Sequence, residues 1–156
     1  MTSQKFYRHL CYLAAKVRRA VEDLACDEED EFEEHLNDPH SLSGYCARAS
    51  AMLSVELSKR DISHKLIYSN WGHVHVQCCG YIMDVTATQF GNFPKVMVRR
   101  RDTLEFICKP KDVSVKWWQK SKVFNTPDGL LNWQHREQWP YEQTVNPYDL
   151  EYLERT

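Results

Sequence analysis

Apolar residues recur at spacings of three and four over the first part of the chain, at Phe6, Leu10, Leu13, Val17, Val21 and Leu24. That period predicts a helix from about residue 4 to about residue 25, with one buried face. A second helix is predicted from about Tyr45 to Lys59, with Ala49, Met52, Leu53, Val55 and Leu57 on its buried side. Ser41 or Ser43 can cap it, Gly44 gives a tight approach, and Lys59 and Arg60 fall near its C-terminus, where positive charge is favoured. The period then changes. HKLIYSN reads as a strand, and Gly72 to Gln77 with Tyr81 to Thr86 as the arms of a hairpin. KVMVRR and LEFIC read as further strands. TPD at 126 to 128 starts a last helix, with a Thr cap and Pro in the first turn, and Pro140 ends it.

The hairpin register follows from its turn. Cys79-Gly80 suits a two-residue turn with Gly second, so paired residue numbers total 159. His75 then faces Asp84, His73 faces Thr86, and Gln77 faces Ile82. Val74, Val76, Cys78, Tyr81, Met83 and Val85 share the other surface. One face is nearly all apolar and the other mostly polar, which is the pattern of a half-buried sheet. His73, His75 and Asp84 lie on one face, with Asp84 opposite His75 and diagonal to His73.

Length and composition narrow the possibilities. A chain of 156 residues, 42% hydrophobic and 27% charged, fits one domain with a core of its own. The net charge of −2 makes nucleic acid an unlikely partner for the molecule as a whole. A local reading as a nucleic-acid surface would rest on Arg99 to Arg101, Lys109, Lys111, Lys116, Lys120 and Lys122, with Trp117 and Trp118 for stacking. The run at positions 27 to 34, with seven acidic residues in eight, opposes it and reads as a solvated helix end or loop. Arg99 to Arg101 reads as a solvated strand end. The four tryptophans at 117, 118, 133 and 139 either line a groove or close a small core. No apolar run is long enough for a membrane span, and Lys16, Arg18 and Arg19 interrupt any leader-like stretch, so no membrane association and a cytoplasmic location are expected. The six cysteines show no CxxC spacing, so free thiols are expected and neither a cofactor nor a metal.

The candidate chemistry lies at Cys46. A helix N-terminus and a nearby imidazole both favour a thiolate, and a carboxylate can orient that imidazole. The helix supplies Cys46, and the hairpin supplies His73 or His75 as base and Asp84 as orienter. A rival use of His73 and His75 is metal binding, completed by Asp84 or Cys46.

Tyr45-Cys46-Ala47 with Met52-Leu53 and Leu57, then Trp71-Gly72-His73-Val74-His75-Val76-Gln77, then Gly80-Tyr81-Ile82-Met83-Asp84-Val85-Thr86-Ala87, resembles the core of transglutaminase-like proteins. The resemblance covers about residues 42 to 90. It implies an α+β, papain-like/transglutaminase-like fold, with a nucleophile-bearing helix packed on an antiparallel sheet. It covers neither the acidic run nor the aromatic tail; from length, one domain over 1–156 is expected, with an N-terminal helix and acidic segment at 1–40 and an aromatic-rich extension at 110–156. The resemblance implies a catalytic triad of Cys46, His73 and Asp84, with Trp71 on the substrate side and His75 either there or in packing. His75 stands where the family usually has an aromatic residue, and Val85 where it usually has Pro. The expected activity is a transglutaminase-like cysteine hydrolase or acyltransferase working on amide bonds of a protein or peptide through a thioester. Protease, amidase or glutamine deamidase action is favoured over transamidation. The alternative is a catalytically idle protein-binding module on the same fold.

Overall fold

The computed structural model of the chain describes residues 2–29, 42, 44–69, 72–90, 93–101, 118, 120–137 and 148–155. Helix α1 (Ser3–Glu29) carries the first apolar stripe, with Leu10, Leu13, Val17 and Val21 wholly buried. It runs past residue 25 because no Gly or Pro interrupts it, and two residues of its acidic end make hydrogen bonds to the rest of the chain. Glu28 accepts from Tyr45 and Arg48, and Asp27 accepts from the Tyr152 hydroxyl. Asp27 is nonetheless exposed and Glu28 partly so, as a solvated helix end predicts; residues 30–34 of the run lie outside the described part.

Helix α2 (Cys46–Ser58) packs beside α1 and against the sheet. Met52, Leu53 and Leu57 are buried as expected, while Val55 is only half-buried. Its N-cap residue is Tyr45, whose side chain makes no capping hydrogen bond. Ser41 and Ser43, the expected caps, lie outside the described residues.

Five strands form one antiparallel sheet in the order β4-β3-β2-β1-β5. They are β1 (Lys65–Tyr68), β2 (Val74–Cys78), β3 (Tyr81–Asp84), β4 (Met97–Arg100) and β5 (Lys122–Phe124). A 3-10 turn (Ala87–Phe90) follows β3, and helices α3 (Pro127–Arg136) and α4 (Asp149–Glu154) come last among the described elements. The fold is α+β, with N-terminal helices packed on a five-stranded antiparallel sheet. The Thr126 side chain caps α3 by accepting from the Gly129 amide. Segments β5 and α4 are too short to show a period, and the chain pattern does not reveal them. LEFIC, Trp117 and Trp139 lie outside the described residues.

The hairpin register is the expected one. Val76 pairs Met83, Gln77 pairs Ile82 and Cys78 pairs Tyr81. Cys79 and Gly80 both have positive φ, 51° and 84°, which matches the right-handed twist of the strands they join. The burial differs from the expected half-buried sheet. Val76, Cys78, Met83 and Val98 face the helices, but the opposite surface is covered too. There Ile82 and Met97 pack with Ala87 and Trp118, flanked by Phe90 and Phe93. The polar residues of that surface are thereby shut into the interior.

Arg18, almost fully buried on α1, reaches across to the chain after β3. Its Nη1 donates to the Val85 carbonyl and to Thr88 Oγ1, each at 2.8 Å, and its Nε donates to Glu22. Arg18→Met removes the donors and leaves the buried Val85 carbonyl unpaired. We expect a loss of about 2 kcal/mol, the scale of a charged hydrogen bond. Urea unfolding measures it; an unchanged midpoint contradicts this role for Arg18.

Candidate functional site

The site forms where three local devices meet. Gly72, with φ of 83°, turns the chain into β2. Ser69 holds that turn, donating its amide to the His73 carbonyl at 2.9 Å and accepting the His73 amide on its hydroxyl at 3.3 Å. Asp84 is the last residue of β3. Cys46 is the first residue of α2, fixed over β2 by Ser50, whose hydroxyl donates to the Val74 carbonyl.

His73 Nε2 donates to Asp84 Oδ2 at 2.5 Å. The register sets His75 directly across from Asp84, yet the carboxylate bonds the diagonal histidine. The same Oδ2 accepts the Trp118 indole N–H at 2.9 Å. The other oxygen, Oδ1, accepts the Thr86 amide at 2.9 Å and the Thr86 hydroxyl at 3.2 Å. Gln89 in turn donates to the Thr86 hydroxyl. Burial pushes the Asp84 carboxyl up, but the His73 charge and hydrogen bond, with the Thr86 amide, outweigh it and hold it down at about 2.

Burial likewise opposes charge on His73, and the Asp84 carboxylate overcomes it. The ring is raised to about 10, and the neighbouring Cys46 thiol acts in the same direction. Nδ1 of His73 is buried without a hydrogen-bond partner. Phe90 packs edge-on against this ring at 4.7 Å, and Trp118 does so at 6.3 Å. The Cys46 thiol makes a long contact of 3.9 Å with the Gly72 carbonyl and sits among Ala47, Leu66, Val74 and Leu130.

Exposure grades across these residues. Cys46 keeps 7% of its surface, against 1% for His73 and 2% for Asp84. His75 keeps none, and neither of its ring nitrogens has a partner. Its ring stacks on that of His73 at 6.3 Å, and burial, then the His73 charge, lowers it to about 3. A side chain so placed cannot touch a substrate without rearrangement. Trp71, the other substrate-side expectation, lies outside the described residues. Among the described residues no group of three or more His, Cys, Asp and Glu side chains has a metal-holding arrangement. The described helices include none long and apolar enough to cross a membrane.

Two partners of the carboxylate were not singled out as such by the sequence pattern. A buried indole N–H needs an acceptor, which gave Trp118 a role beyond core closure. Thr86, two residues after Asp84, has the spacing at which an aspartate bonds its own backbone. Comparisons with protein-family models, with curated proteins and with solved structures yield no match to this chain.

The three ionisable groups make different demands on pH. Asp84 contributes stability that is complete above about 4, its ordinary range, and is lost as pH falls toward about 2. His73 contributes stability that is complete below about 6.5 and is lost as pH rises toward about 10. His75 stays neutral in the folded chain down to about 3, while the unfolded chain takes up its proton near 6.5. Stability therefore falls on its account as pH drops through that interval. His75→Phe should flatten the acid side of the urea-midpoint profile relative to the native chain. Parallel profiles over that interval contradict a buried neutral His75.

Proposed function

We propose that the chain is a cysteine-dependent acyl-transfer enzyme of transglutaminase-like, papain-like design, with Cys46 as nucleophile, His73 as base and Asp84 as orienter. One observation carries this reading. The carboxylate takes Nε2 of His73, and the Nδ1 edge stays unpartnered beside a thiol at the start of a helix. An imidazole bonded on one side by an ionised carboxylate has its tautomer and tilt fixed, so the free nitrogen is the one that exchanges a proton.

The proton of Cys46 is held on His73, which pairs with the sulfur as an imidazolium, and the sulfur attacks the carbonyl carbon of an amide. The N–H groups of the α2 first turn, which the Tyr45 side chain does not cap, receive the developing oxyanion. The C–N bond breaks as His73 returns the proton to the leaving amine, and a thioester on Cys46 remains. Water or a second amine then attacks that thioester, giving its proton to His73, and the thiol is released. Water is the favoured acceptor, and a peptide or protein amide the favoured substrate. His75 is a packing partner beneath His73 in this scheme.

The enclosure of Cys46 supports a second reading, an idle protein-binding module on the same fold. The two are separated by a peptidyl thiol-reactive probe at mildly acidic pH, followed by intact mass. We expect one adduct on Cys46, lost in Cys46→Ala and slowed by roughly 100-fold or more in His73→Ala. His75→Ala should leave labelling of Cys46 in place. An inert Cys46, with label only on Cys26 or Cys79, favours the idle module. Trp118→Phe removes one hydrogen bond to the carboxylate, and we expect about a tenfold slower adduct formation. A rate equal to that of the native chain contradicts a positioning role for the indole.

A further inference from the structure

At the turn end of the hairpin, away from His73, lies a cavity of about 270 Å³. Gln77 is four residues along from His73, roughly 13 Å at strand rise. The lining includes Ser63, Lys65, Gln77, Cys79 and Arg101. Lys65 and Gln77 are cross-strand partners in the β1–β2 ladder, so their side chains stand on one face. Arg101 is held at the mouth by its amide, which donates to the Gly80 carbonyl at 3.0 Å.

The chemistry of this lining is one-sided. Lys65 and Arg101 bring two positive charges, and none of the described lining residues is acidic. Lys65 donates to the Asn125 side-chain oxygen, which leaves ammonium protons to spare. The Gln77 side-chain nitrogen is buried and has no hydrogen-bond partner. A buried N–H without an acceptor is costly, and two cations beside it select an acceptor that is negative.

We propose that this cavity binds a doubly charged oxyanion, a phosphate monoester. Arg101 and Lys65 balance its two charges, the Ser63 hydroxyl donates to a remaining oxygen, and a turn of the Gln77 side chain brings its amide, now buried, to another. A carboxylate would match only one of the two cations. The site is separate from Cys46 and does not depend on the acyl-transfer reading.

The test is an amide NMR titration of the full chain with O-phosphoserine and with inorganic phosphate, at constant ionic strength. Saturating shifts at the Gln77 side-chain amide and at Cys79 and Gly80 are expected. Arg101→Gln and Lys65→Gln should each weaken binding at least tenfold with the rest of the spectrum unchanged, and Cys46→Ala should bind as the native chain does. Tighter binding of O-phosphoserine assigns the site to an organic monoester, and equal binding to free phosphate; both support the proposal. Shifts that do not saturate, that chloride reproduces, or that survive in Arg101→Gln mean an adventitious ion only and overturn it.

Discussion

A carboxylate withdrawn from water must have its charge met from within, and Asp84 is where this chain does so. Its two oxygens accept from His73, Trp118 and twice from Thr86. These donors come from the start of β2, from the turn after β3 and from a residue more than thirty positions downstream. Each arrives by a different route, and none is placed by the hairpin alone. Arg18 adds a fourth route, from α1, by fixing the chain that bears Thr86. The fold around the site is therefore organised by one ion as much as by apolar burial. An ionised group left short of partners in this setting would be strongly unfavourable.

Around that ion the interior is layered. Apolar packing against α1 and α2 holds one side of the sheet, and aromatic rings close the other. His73 lies beside both Asp84 and Cys46, and all three residues are buried, with Cys46 keeping 7% of its surface. His75 lies on the closed side, where a ring of aromatic size fills space and the lack of polar partners keeps it neutral.

Much of this was legible in the chain itself, for physical reasons that differ by element. The stripe from Leu10 to Leu24 and the side chains of α2 announce helices because burial imposes their period. The hairpin was legible down to its register, since a positive-φ turn at Cys79-Gly80 permits one pairing that separates apolar from polar positions. The bond from Asp84 to His73 instead of His75 was left open, because cross-strand and diagonal partners are both within reach of a carboxylate. Covering of the polar face was illegible, as it depends on Trp118 and Phe93 arriving from other parts of the sequence. The start of α2 was legible to within a residue, although its N-cap residue Tyr45 makes no side-chain capping bond.

The exposed turn at Cys79 and Gly80 looks tolerant of change, with no packed neighbour near the position of a Gly80 side chain. Its two dihedral signs nonetheless fix which residues of β2 and β3 look the same way. One extra residue there would invert β3 relative to β2, sending Asp84 toward the helices and Met83 toward His75. The turn therefore acts as a frame setter for the interior, and a peptide tag grafted at this accessible loop would report on site assembly and not merely decorate the surface.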